Sequence, residues 1–208
     1  MGLAIVVGPY SAYEPADLDE FKPVLDADLA RINAALTAEG LPPHTEPQTE
    51  IDWDSQAGVA SFPYSFLHYL RAAAYHHAEG RSLPAQDGEG YDAADDYDFD
   101  PGSHLLNHSD CEGYYVPVDF AEPLVDEQLA GGILGSSVAL QRELLAVAPA
   151  LGIQVESAGG RVTDESVAAV NASSEDEDHA HWRAREVWLA LYDATRQSIA
   201  GGQVIVFQ

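Results

Sequence analysis

The sequence predicts an α+β fold: a single domain with a small mixed sheet, including a hairpin near 104–118, packed by about four to five helices. Three observations carry this prediction. Short apolar runs at residues 3–7 and 204–207 have strand length rather than helix length. Longer segments between them repeat apolar residues at three- and four-residue intervals, as one face of a helix does. Two strand-like runs flank a four-residue turn near residue 110, which breaks a purely parallel pattern. At 208 residues and 46% hydrophobic content the chain can bury one substantial core. Residues 1–208 are therefore expected to form one globular domain, with an acidic loop at about 80–103.

The elements follow in order. Residues 3–7 are stopped by Gly8 and Pro9 and read as a buried strand. Asp17 with Glu20 resembles a capping box, and Phe21, Leu25, Leu29, Ile32 and Leu36 then recur at helical spacing to Gly40, with Pro23 expected in the first turn. Residues 41–60 stay open, since Ile51, Trp53 and Val59 allow one short strand or an irregular crossing. Ser61 and Pro63 read as a helix start, with Phe66, Leu67, Leu70 and Ala74 as its apolar face. Residues 104–109 and 114–118 form the expected hairpin. Asp110 opens its turn and Gly113 closes it, and Pro117 puts the second strand at a sheet edge.

Gly131, Gly132 and Gly135 precede Ser136 and Ser137, which can cap a helix through Leu140, Leu144 and Val147. Residues 153–157 look like a short strand, and residues 163–170 like a short helix. Ser174 with Glu177 reads as the capping box of the longest helix, whose inner face is Ala184, Val187, Trp188, Leu191, Thr195 and Ile199. Gly201 and Gly202 end it, and residues 204–207 supply the last strand.

Charge is the outlier of this composition. Thirty-five acidic residues stand against nine Lys and Arg, a net charge of −26. Such a field repels phosphates and anionic membranes, so neither nucleic acid nor a membrane is an expected partner. Three readings remain: a solubility or high-salt adaptation, a genome-wide bias against Lys, or a docking surface for a basic protein partner. The densest stretch is 86–100, with seven carboxylates including Asp92, Asp95, Asp96, Asp98 and Asp100 and no basic group; it reads as a solvated acidic surface. The apolar run at the amino terminus is too short for a signal sequence or a spanning helix. One cysteine, Cys111, excludes an internal disulfide and fits a reducing cytoplasm.

Candidate chemistry concentrates in HLLNHSDCEG, residues 104–113. His104, His108, Asp110, Cys111, Glu112 and Tyr115 are its candidate binding residues, with no residue assigned as catalytic. On strands, His104 and His108 would lie about 13 Å apart and could not share an ion. His108, Asp110 and Cys111 form a tighter trio at the turn. Its bland counterpart is a turn carboxylate, an imidazole stacked on Tyr115 and a buried thiol. Asp110 and Glu112 flank the thiol and disfavour its ionisation. Asp96, Asp98 and Asp100 alternate like the opening of a calcium loop, but Pro101 and Asn107 stand where the turn Gly and the bidentate Glu belong. No cofactor is expected beyond weak divalent cation binding. Gly131–Ser137 lacks the Lys of a phosphate-binding loop and reads as a cap.

Ser109-Asp110-Cys111-Glu112-Gly113, with the preceding histidine and the following Tyr115 and Pro117, resembles an S-D-C-[DE]-G segment of small bacterial proteins that have no established activity. The resemblance covers about ten residues and implies a bacterial cytosolic protein with an immunity-like or accessory role. Two function classes follow. The favoured one is a non-enzymatic, immunity-type interaction protein whose acidic surface at 86–112 docks a basic partner. The alternative is a metal-dependent or thiol enzyme built on His104, His108, Asp110 and Cys111.

Overall fold

The computed structural model describes residues 2–13, 15–48, 59–84, 86, 91–157, 159–177 and 179–208. Its strands are β1 (Gly2–Val7), β2 (Val59–Pro63), β3 (Gly113–Val116), β4 (Leu124–Val125), β5 (Ile133–Ser136) and β6 (Ile205–Phe207). The helices are α1 (Pro15–Ala38), α2 (Tyr64–Ala78), α3 (His104–Asn107), α4 (Ser137–Val147), α5 (Asp164–Asp176) and α6 (Trp182–Gly201). The strands make one sheet in the order β2-β1-β6-β3-β5-β4. Every pairing is antiparallel except β3 with β5, so the sheet is mixed and the domain is α+β.

Alternation along the strands divides the apolar residues into two layers. Leu3, Ile5, Val7, Tyr115, Ile205 and Phe207 join Leu67, Leu70, Leu140, Leu144, Val187, Trp188 and Leu191, so α2, α4 and α6 cover one face. Tyr114, Val116, Leu134, Val204 and Val206 meet Ile32, Ala35 and Leu36 of α1 on the other. Trp188 lies at the centre of the first layer, with its Nε1–H donating to the Leu144 carbonyl at 2.7 Å. A sheet covered on both faces needs mainly apolar strands, and β1, β6 and β3 at its middle carry no charged residue and almost only apolar ones.

Several local expectations are corrected. Pro23 lies inside α1, not in its first turn, because the helix already begins at Pro15. Ser61 and Pro63 do not open a helix: both pair with β1, Ser61 opposite Ala4 and Pro63 opposite Gly2, and α2 starts at Tyr64. Ile51 and Trp53 lie outside the described residues, whereas Val59 begins β2. The 104–118 hairpin does not form. Its first arm is the helical turn α3, and its second, β3, sits between β6 and β5 at the middle of the sheet rather than at an edge. Pro117 ends β3 at Val116 instead of marking an edge.

Gly135 belongs to β5, and the Tyr115 ring lies so close that a Cβ there would be 2.2 Å from its Cδ1. Ser136 caps α4 as expected, accepting from Ala139 N–H at 3.1 Å. Residues 153–157 contribute only a bridge, between Val155 and Val162. Ser174 and Glu177 end α5 instead of opening α6; Glu177 takes a left-handed conformation at φ 51°. At 24 residues α1, not α6, is the longest helix.

Candidate functional site

The segment 104–107 is helical because two charged side chains from elsewhere clamp it and its flanking residues. At its start the Glu143 carboxylate accepts from Ser103 Oγ at 2.6 Å and from the backbone N–H groups of His104 and Leu105 at 2.7 and 3.1 Å. Past its middle the Arg71 guanidinium donates to the carbonyls of Leu105 at 2.9 Å and His108 at 2.5 Å. An anion at the amino end and a cation at the carboxyl end satisfy the free N–H and C=O groups of a helical turn. Burial pushes the Glu143 carboxyl above its ordinary range, and these three donors oppose that.

This clamp separates the candidate residues. The His104 ring is buried, accepts the Ser136 N–H at Nδ1 (2.9 Å) and meets Phe120 edge-on with centroids 5.2 Å apart. His108 stacks on Tyr115, with centroids 4.0 Å apart and planes 16° off parallel, and its Nδ1 and Nε2 lie 2.9 and 3.1 Å from the carbonyl oxygens of Ser109 and Tyr114. Burial lowers both histidines to about 4, so each ring is neutral near pH 7, and the single N–H of neutral His108 donates to one of its two facing carbonyls, not both. Tyr115 is buried and donates to the His104 carbonyl at 2.9 Å. Burial also pushes the phenol well above its ordinary value.

The turn itself faces solvent. Cys111 is exposed rather than tucked beneath it, with Ser109 Oγ 3.5 Å from its sulfur. Glu112 is exposed, and the Asp110 carboxylate reaches His68 Nε2 at 3.2 Å. Gly113, at φ +124°, is required where it stands, because a Cβ would come within 2.9 Å of the His108 ring. His104 and His108 thus belong to the interior while Asp110, Cys111 and Glu112 lie outside. Among the described residues no group of three or more His, Cys, Asp or Glu could hold a metal ion.

The acidic run behaves differently, since it is held against α2 as an ordered ribbon. Tyr75 donates to Asp98 Oδ2 at 2.6 Å, and Tyr91 donates to Asp96 Oδ2 at 3.0 Å. Asp96 Oδ1 also meets His76 Nε2 at 3.2 Å, and Tyr97 OH meets His68 Nδ1 at 2.8 Å. Asp92 caps the short 3-10 turn at Ala93–Asp95 by accepting from Ala94 N–H, and Asp100 accepts from Gly102 N–H, both at 3.0 Å. Asp92, Asp95, Asp98 and Asp100 keep an exposed surface, and Asp96 is half-buried. His68 joins this ribbon to the Asp110 turn, so the carboxylates of residues 91–100 and 110–112 lie side by side, with the largely buried segment 103–108 passing beneath the surface between them. Asp87 and Glu89 lie outside the described residues.

Little positive charge answers this face. No Lys or Arg occurs between Arg81 and Arg142. Arg71 is buried and bound to carbonyls, and Arg81 lies over the Tyr75 ring at 4.9 Å. Elsewhere Lys22 pairs with Asp26, Arg31 with Asp28, Arg142 with Asp119 and Arg161 with Asp164, while Arg183 lies over the Phe66, Tyr69 and Trp182 rings and Arg185 donates to Ser173 Oγ. Phenols also hold carboxylates on the α1 side, Tyr10 at Asp26 (2.5 Å) and Tyr114 at Asp28 (2.8 Å). Burial and the neighbouring carboxylate raise Tyr10 to about 12. Asp26 and Asp28 thus carry a cation as well as a phenol, whereas on the ribbon the neutral hydroxyls of Tyr75 and Tyr91 fix the direction of an anion without cancelling its charge.

Sequence reasoning located the acidic residues but missed Arg71, Glu143 and the tyrosines that hold them. A signal existed for two: Arg71 is four residues after Leu67, and Glu143 lies between Leu140 and Leu144, both beside an apolar helical stripe. Among the described residues no helix is long and apolar enough to cross a membrane. A family model described as "Putative DNA-mimic protein" matches residues 1–207. No curated protein and no solved structure matches the chain.

Proposed function

The chain belongs to this DNA-mimic family, and from that premise we propose that it occupies the DNA-binding surface of a DNA-binding protein, presenting carboxylates where that protein expects phosphates. The family match along nearly the whole chain carries this reading. The net charge of −26 and the ordered carboxylates of residues 91–112 support it physically. Much of the affinity of a DNA-binding site is electrostatic and independent of base sequence, so an array of anions can compete for it without resembling a base pair.

Two expectations from the sequence are corrected by the family match. The acidity does not point to an immunity-type neutraliser, and the turn at 108–111 does not point to a metal-dependent or thiol enzyme. The partner is also redefined: it is a protein whose surface evolved to hold DNA, rather than any basic protein. A DNA-binding partner implies work in the compartment that contains the DNA, in keeping with the cytoplasm expected from the composition.

The test uses proteins retained on immobilised DNA, eluted with the purified chain at about 100 mM salt. The expected result is elution of a small set of DNA-binding proteins in stoichiometric complex with the chain, while labelled DNA is not shifted by the chain alone. Equal elution of the same proteins by polyglutamate of matched charge, or no elution, overturns the proposal.

A further inference from the structure

The ribbon carries one feature that charge does not explain. Phe99 is 77% exposed although both neighbours are fixed. Tyr75 holds the Asp98 carboxylate at 2.6 Å. The Asp100 carboxylate accepts from Gly102 N–H at 3.0 Å, and its carbonyl accepts from Ser103 N–H at 3.0 Å and from the Asn107 side chain. Pro101 restricts Asp100 further toward an extended backbone. The ring is therefore displayed by a braced segment instead of being left out by a loose one. The other exposed phenylalanine, Phe21, is 38% exposed and stacks on Tyr13 with centroids 4.4 Å apart.

Resting on the DNA-mimic reading, we propose that Phe99 stands for an unpaired base between two phosphates, and that the partner is a protein that binds single-stranded nucleic acid. In a duplex the base faces are stacked inside, and a protein groove meets only phosphates and base edges. A planar apolar ring between two carboxylates has no counterpart there. Single-stranded binding grooves combine cationic walls with aromatic side chains on which bases stack, and such stacking tolerates any π-face. Their walls complement Asp98 and Asp100, and their aromatic floor complements Phe99. Bracing by Tyr75 and Gly102 reduces the ordering cost that a flexible loop would meet on binding.

The test loads an OB-fold single-stranded-DNA-binding protein with labelled oligothymidine and a helix-turn-helix repressor with its labelled duplex operator. The full chain, Phe99→Ala and Phe99→Trp then compete in both, with circular dichroism confirming the fold of each variant. The expected result is release of oligothymidine by the native chain, a tenfold or greater rise in the concentration Phe99→Ala requires, and activity of Phe99→Trp within about threefold of native. Unchanged release by Phe99→Ala, or release of the duplex alone, overturns the inference while leaving DNA mimicry standing. Release of neither nucleic acid overturns the inference and counts against mimicry itself.

Discussion

His104 and His108 show how a residue can look chemical in sequence and be structural in place. Both are neutral because burial outweighs their polar contacts, and this fixes a pH dependence. Their folded values near 4 lie below the unfolded value of about 6.5, so the unfolded chain takes up protons that the folded chain refuses. Their contribution is complete above about pH 6.5 and is lost as pH falls toward 4, by up to about 3 kcal/mol for each ring. Glu143 acts with the opposite sign, since its raised value makes the folded state the better proton acceptor. Urea midpoints at pH 7.5, 5.5 and 4.5 check the histidine effect. The midpoint should fall with pH in the native chain and fall less in His108→Gln; an equal fall in both would contradict it. The stacking of His108 on Tyr115 was legible in the sequence as one option for the trio. The exposure of Cys111 was not, because which side of a turn faces solvent depends on the strand that follows it.

At the scale of elements, α3 is the clearest case of tertiary context overriding local pattern. Residues 104–109 alternate acceptably for a strand, yet Glu143 and Arg71 hold 104–107 as a helical turn. Replacing Glu143 by Gln keeps the shape but puts an amide NH2 against at least one backbone or hydroxyl donor. The expected cost is about 1–3 kcal/mol, with faster amide exchange concentrated at 103–108. Unaltered exchange there would show that the clamp does not hold the turn. Helices with long apolar stripes, α1, α2, α4 and α6, were legible because each carries its own periodicity. Strands β4 and β5 were not: Gly131 to Gly135 reads as punctuation until Tyr115 is seen lying over Gly135. Ser61 likewise needed its partner Ala4 before it could be read as strand.

For the molecule as a whole, the outstanding quantity is a charge of −26 spread over one domain. Self-repulsion of this size weakens the compact state, and salt screens it over a Debye length of about 10 Å at 0.1 M. Raising NaCl from 20 mM to 0.5 M should increase Tm by about 4–8 °C, the shift for roughly 2 kcal/mol in a domain of this size. Scanning calorimetry checks this, and a Tm independent of salt would show that repulsion is already relieved within the fold. The acidity was plain in the sequence, as was the α+β class; the identity of the partner was not, because charge alone does not distinguish one basic surface from another. On the ribbon, the hydroxyl groups of Tyr75 and Tyr91 add a final consequence. A face organised by Lys and Arg would lose both attraction and order as ions screened its contacts. Here the struts carry no charge, so brine should dim the field while leaving its pattern intact. Recognition would then fade with salt as a lamp is turned down, and return without refolding when the salt is removed.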